Sequence, residues 1–178
     1  MTRIHSSMSI ETTQNIFHAD DGQDINHLTG KEKLLNFLNE AFTTAMISML
    51  RFRQHYFLGQ RFKMKHITDS FMHCSNDEQE HADWLAIRMV QLGGAPDYSL
   101  NNIFNINNKT FAVDHSLMEM MMENLLASRL AITSYRNLIK FTDKEDPITS
   151  VMLNIVLLDE ERHAEALAEF IESASTQH

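Results

Sequence analysis

The chain has 178 residues, a formal net charge of -9 and only 5 Gly and 2 Pro, a composition that favours one all-helical domain with its own core. The negative balance opposes sequence-independent nucleic-acid binding, which needs Lys and Arg to displace counterions from phosphates. No apolar run approaches the roughly 18 residues of a membrane span, none follows Met1, and the lone Cys74 closes no intrachain disulfide, so a reducing cytoplasm is the expected compartment.

Residues 1–28 are polar and irregular, broken by Asp20, Asp21 and Gly22, and read as a flexible tail ahead of a bundle over 29–174 and a short tail at 175–178. Thr29-Gly30-Lys31-Glu32 is a capping box that opens a first helix over about 31–58. Gly59 and the polar GQRFK stretch turn into a second helix, about 64–92, which Gly93-Gly94-Ala95-Pro96 ends. Some twenty Asn-rich residues without periodicity follow, and Asp114 or Ser116 then caps a third helix over about 115–141. Asp146-Pro147 caps and starts the fourth, about 147–173. Short turns imply two antiparallel hairpins and the long stretch a crossover between them. The predicted architecture is an all-α four-helix bundle with one long connection between the second and third helices.

In the second helix the inward positions read Ile67, Phe71, Cys74, Glu78, His81, Leu85, Met89 and Leu92; in the fourth, Met152, Val156, Glu160, His163, Leu167 and Ile171. Steps of three and four define one helix face. Each apolar stripe therefore carries a Glu and a His one turn apart, in the same order. An uncompensated carboxylate in a core costs several kcal/mol, so these residues need a partner. Facing each other, the two helices would gather two oxygen and two nitrogen donors, which makes Glu78, His81, Glu160 and His163 candidate metal ligands. A metal-free alternative bonds Glu78 to His163 and Glu160 to His81. Cys74, seven residues before His81 on the same face, is either a small core residue or a soft ligand. Met120, Met121 and Met122 cover nearly a full turn and cannot all point inward. His55, His66, His73 and His115 have no partner at ligand spacing and read as surface or satisfied histidines.

The segments LNEAFTTAMISMLRFRQHYFLG, DEQEHADWLAIRMVQLGGAPD, LLASRLAITSYRNLIKF and DPITSVMLNIVLLDEERHAEALAEF carry a resemblance that runs from Leu38 to about Ile171. Together they resemble the bacterioferritin and Dps-like branch of the ferritin-like superfamily. The resemblance implies a di-iron centre made of both Glu-x-x-His pairs and one terminal Glu on each of the first and third helices. Both pairs are present, but the terminal positions fall on Ala45 and Ser128, and a tyrosine common in the family falls on Phe52. Same-face neighbours of Ala45 (Leu38, Ala41, Ser48, Met49) and of Ser128 (Met121, Asn124, Ala131, Ile132, Tyr135) supply no carboxylate, and Glu40 and Glu123 are rotated away. Two carboxylates leave half the charge of a divalent pair unbalanced, so the implied site is weakened, mononuclear or empty, with zinc as a substitute for iron. Gln79 stands where a haem-ligating methionine would fall, so no haem is expected.

What the resemblance implies is an iron-binding protein for storage or detoxification, taking Fe(II) and an oxidant, with weak ferroxidase activity left open. Two alternatives stand beside it: a non-catalytic subunit of a shell with an active paralogue, and a mononuclear metal enzyme on the same fold. The 15 residues after His163 are too few for the fifth helix of bacterioferritin shells, so a smaller Dps-like homo-oligomer or a dimer is expected, with a mixed assembly as the variant. Arg3 is the sole basic residue of the tail, so the Lys-rich DNA arm of some Dps proteins is not expected, and with no spanning apolar run neither nucleic acid nor membrane is an expected partner.

Overall fold

The computed structural model describes residues 29–99 and 115–175; the expected tail over 1–28 and the last residues, 176–178, lie outside it. Four long helices account for nearly all of the described chain: α1 (Gly30–Gly59), α2 (Lys65–Gln91), α3 (Leu117–Glu145) and α4 (Pro147–Ser175). Local chemistry fixes their ends. Thr29 Oγ1 accepts from the Glu32 amide while Glu32 Oε2 accepts from the Thr29 amide, and Ser116 and Glu119 repeat this reciprocal box at α3. Ser116 is thus the cap at the start of α3. A single 3₁₀ turn, Gln60–Phe62, and a left-handed Lys63 (φ 56°) link α1 to α2. Gly93, at φ 78°, closes α2, with the Gly94 amide bonding back to the Met89 carbonyl, a left-handed C-terminal cap that only glycine adopts without strain.

Helix α3 extends four residues beyond its expected end. Nothing in Phe141–Glu145 breaks a helix, and the buried Thr142 hydroxyl donates back to the Leu138 carbonyl within it. Pro147 cannot join a preceding helix, so Asp146 becomes the hinge. Its carboxylate accepts from the Thr149 amide at the start of α4 and from Arg88 Nη2 at 2.7 and 2.8 Å, which ties the end of α2 to the α3–α4 turn. Burial opposes the charge on Asp146, yet the Arg88 and Thr149 bonds hold its carboxyl below the ordinary range.

Helices α1 and α2 pack as one antiparallel hairpin and α3 and α4 as the other, with α1 against α3 and α2 against α4 closing the bundle. Because α2 and α4 also run antiparallel, with residue 77 beside 163 and 88 beside 149, α2 and α3 point the same way. The end of α2 and the start of α3 therefore lie at opposite ends of the bundle, about 40 Å apart at 1.5 Å per residue, and residues 100–114 of the expected connection lie outside the described residues. Its first residues lie on α1, where Asn39 Oδ1 accepts from the Asp97 amide and Phe42 meets Tyr98 edge-on. Two apolar clusters fill the interior, one around Leu38, Phe42, Leu85, Met89 and Leu153, the other around Phe52, Phe71, Met120 and Leu167. Between them lies a polar layer. Met120 and Met121 are buried and Met122 exposed, as the turn geometry requires, while Phe62 and Met118 pack against the second cluster. Among the described residues no helix is long and apolar enough to cross a membrane.

Candidate metal centre

The polar layer contains Glu78, His81, Glu160 and His163, and all four are buried, none more than 4% exposed. They come from the apolar stripes of α2 and α4, where the alternation of three- and four-residue steps points them at each other. Glu78, Glu160 and His163 each place one donor atom within 4.8 Å of the others. His81 Nδ1 lies 3.7 Å from Glu78 Oε2 and 4.0 Å from Glu160 Oε1, and the two imidazole rings lie 6.4 Å apart, centre to centre.

The two imidazoles are strapped crosswise. His81 of α2 has Nε2 3.3 Å from Asp159 Oδ2 of α4, and His163 of α4 has Nε2 2.9 Å from Asp77 Oδ2 of α2. A carboxylate accepts, so each Nε2 carries the proton and each Nδ1 presents a lone pair to the pocket. Both Nδ1 atoms are buried without a hydrogen-bond partner, as are Glu78 Oε1 and Oε2 and Glu160 Oε2. Neither pairing of the metal-free alternative forms: Glu160 stands 4.0 Å from His81, and both Glu78 oxygens and His163 Nδ1 lack a bond. The aspartates were not singled out from the sequence. Their signal was there in the longer repeat Asp-Glu-x-x-His, read as DEQEH and DEERH.

Electrostatics follow from burial. Desolvation pushes Glu78 up to about 8, against the pull of the neighbouring Glu160 carboxyl and of Arg51. Glu160 rises well above the usual carboxyl range through burial and repulsion by Glu78, which His81 and the Ser128 hydroxyl only partly offset. Burial also lowers His163, against its bond to the Asp77 carboxylate, which favours the charged form. The pair therefore holds protons near neutrality unless another cation replaces them.

The side of the pocket formed by α1 and α3 differs. Ala45 and Ser128 are buried, Ala45 in the first apolar cluster and Ser128 with its hydroxyl on Glu160. Tyr135 is buried with its hydroxyl unpartnered, and burial together with Glu160 and Glu78 raises its phenol. Arg51 of α1, half-buried, is the residue that sequence periodicity did not expose. Desolvation lowers its pKa while Glu123, Glu78 and Glu160 stabilise its charge.

Comparison with known proteins agrees with this architecture. The family model of the ferritin-like domain matches residues 35–176. The chain belongs to the ferritin-like family. A bacterioferritin from Mycobacterium avium is 22% identical over 145 residues, covering 79% of this chain and 84% of that protein. In this ferritin-like chain Cys74 sits in the second apolar cluster beside Phe71, and burial raises its thiol. His66 is exposed against Phe170, and His73 is exposed 3.5 Å from Asp77. His55 is a satisfied histidine, bonded to Asn124, but it and His115 are more than that. They converge with Glu123 in a separate cluster, assembled across α1 and α3 without any ligand spacing along the chain.

Proposed function

We propose that this ferritin-like chain is an iron-binding protein of the bacterioferritin or Dps type, serving iron storage or detoxification, with Glu78, His81, Glu160 and His163 as its ligands. The observation that carries this reading is the set of buried, unpartnered atoms, two imidazole Nδ1, both Glu78 oxygens and Glu160 Oε2, with the imidazoles held in place by Asp77 and Asp159. Buried polar groups without partners are costly, and mixed nitrogen and oxygen donors suit Fe(II), with Zn(II) as a competitor. Carboxylate–imidazole straps of this kind orient a ligand and raise its basicity. Bound iron would supply electron transfer to oxygen or peroxide, while the chain holds the ion and excludes bulk water.

The site is weakened and takes one ion. Ala45 and Ser128 stand where the family resemblance puts terminal carboxylates, and Arg51 adds a positive charge within reach of both remaining ones. Two carboxylates less one guanidinium cannot balance two divalent ions in a poorly solvated pocket. Anomalous scattering at the iron and zinc edges, with stopped-flow Fe(II) oxidation, tests this. One ion per chain between α2 and α4 with slow oxidation is expected, and rapid oxidation of two Fe(II) per chain overturns it.

Arg51 also favours a second reading, a non-catalytic subunit beside an active paralogue. Ala45→Glu with Ser128→Glu and Arg51→Gln separates the two. Faster oxidation in the triple variant supports the weakened centre; no metal in either protein supports the structural subunit. Assembly as a closed homo-oligomer is supported by an apolar stripe on α4, where Ile148, Val151, Ile155 and Leu158 are 67, 64, 48 and 63% exposed at helical spacing. Sedimentation of Val151→Glu and Leu158→Glu reads this stripe directly: dissociation is expected, and unchanged mass removes α4 from the interface.

A further inference from the structure

Ten residues past Ala45 on α1, donors converge that owe nothing to the Glu-x-x-His repeat. His55 of α1 is 2% exposed, His115 lies just before α3, and Glu123 is on the second turn of α3. His55 Nε2 is 3.5 Å and His115 Nδ1 3.3 Å from the same oxygen, Glu123 Oε2, and the three donor atoms lie within 4.8 Å of one another. At 3.5 Å the His55 separation is longer than a good N–H···O bond, roughly 2.7–3.2 Å. His115 Nδ1 is buried and makes no hydrogen bond. The separations instead match the edge of a tetrahedron around zinc, about 3.3–3.5 Å for bonds of roughly 2.0–2.2 Å to nitrogen and oxygen.

We infer that His55 Nε2, His115 Nδ1 and one Glu123 oxygen form a second, mononuclear site for a divalent metal of the zinc type. Its fourth position opens to solvent, since the side chains of Glu123 and His115 are 42% and 26% exposed while His55 closes the inner wall.

A ligating His55 needs its proton on Nδ1, and Asn124 is placed to hold it there. The Asn124 amide lies 2.9 Å from His55 Nδ1, and its oxygen, buried, has no other partner. Amide nitrogen and oxygen exchange places by a half-turn, so Asn124 Oδ1 accepts from Nδ1–H and leaves the Nε2 lone pair for the metal. Asn124 is thus a positioning residue. Arg61 Nη2 donates to the His115 carbonyl at 2.5 Å, which pins the residue that lies outside the helix. Arg51 faces this cluster as well as the central one, acting on both His55 and Glu123. Its charge repels an incoming ion, and Glu123 offsets that repulsion.

The test uses the full chain and Zn(II) alone. Crystals soaked in zinc should show a zinc-edge anomalous peak bonded to His55 Nε2, His115 Nδ1 and Glu123. Calorimetric titration should find a zinc site that His115→Ala and Glu123→Gln each weaken at least tenfold. Asn124→Leu should weaken it and Asn124→Asp preserve it. His115→Ala alters no helical residue, so it decides the matter should Glu123→Gln fail to fold. No peak there at millimolar zinc, or equal titrations of wild type and His115→Ala, would overturn the assignment. Zinc bound only at Glu78, His81, Glu160 and His163 would also overturn it while leaving the central site standing.

Discussion

The two halves of the central pocket are built on different plans. Helices α2 and α4 contribute the same five-residue unit, Asp-Glu-x-x-His, and each unit's aspartate straps the other's histidine, so two donor sets face each other almost as copies. Helices α1 and α3 contribute an alanine, hydroxyls, an unpartnered tyrosine and a guanidinium. One half is organised to hold a cation; the other carries a cation of its own. A polar layer in a bundle core thus owes its charge balance to all four helices, even when its recognisable motif sits on two.

The largest expected effect breaks the α2–α4 half directly. Glu78→Gln with Glu160→Gln removes both carboxylate charges and should weaken metal binding by well over the roughly 100-fold typical of an outer partner. The same change should stabilise the metal-free protein at pH 8.5, where two buried carboxylates repel, by about 1–4 kcal/mol, because replacing buried charges by neutral groups removes a desolvation cost. Metal titration and thermal melts in chelator measure both. A double variant that melts lower than wild type in chelator would show that the glutamates are stabilised by something other than a metal.

Next in size are the straps. Asp77→Asn and Asp159→Asn each let the strapped imidazole turn or change tautomer, and each should cost about 10–100-fold in metal affinity. Equal losses would support the copied geometry. A large loss at one strap alone would show that one histidine carries the site, and 15N shifts of the imidazole nitrogens report which tautomer is lost.

Features of this kind were legible to the extent that they are local. Caps at Thr29, Ser116 and Asp146 lie within three residues of the groups they satisfy, so helix starts were readable, while the end of α3 was not, since Thr142 continues a helix that nothing nearby forbids. The stripes that bury Glu78, His81, Glu160 and His163 follow from periodicity. Asp77 and Asp159 were visible in principle, because each precedes the glutamate of its repeat. Arg51 and the trio of His55, His115 and Glu123 were not. Their partners lie on other helices, and no spacing within one helix records a meeting set by how α1 packs on α3.

The pH dependence sharpens the comparison in the metal-free protein. Glu78 and Glu160 are raised by burial, Glu78 to about 8, so their contribution to stability is fully present below about 4.5 and is lost as pH rises through about 8. His55, lowered to about 4 by burial and Arg51, and His163, also lowered by burial, act oppositely and cost stability as pH falls below 6.5. Between pH 6.5 and 8 only the carboxyls count, and stability should fall by up to about 1.4 kcal/mol per pH unit for each. Metal binding displaces their protons, so affinity should rise with pH over the same window. A flat metal-free profile there would mean that Arg51 keeps the pair ionised throughout.

The smallest expected effect probes the α1–α3 half. Tyr135 is 2% exposed, its hydroxyl has no partner, and Glu160 and Glu78 are the charges that act on it. A buried hydroxyl without a bond costs about 1–3 kcal/mol relative to its removal, so Tyr135→Phe, which keeps the ring, should stabilise the metal-free protein by about 1 kcal/mol. For a domain of this size that is a rise of roughly 2–4 °C in Tm. The sign is the argument, because the histidines on α2 and α4 are strapped and loosening them costs function, whereas this hydroxyl is unanswered and its removal costs the fold nothing. In metal-loaded protein the gain should shrink if the hydroxyl reaches the ion's coordination sphere. A Phe variant that melts lower without metal would place a hydrogen bond on the α3 side and make the two halves more alike than their sequences are.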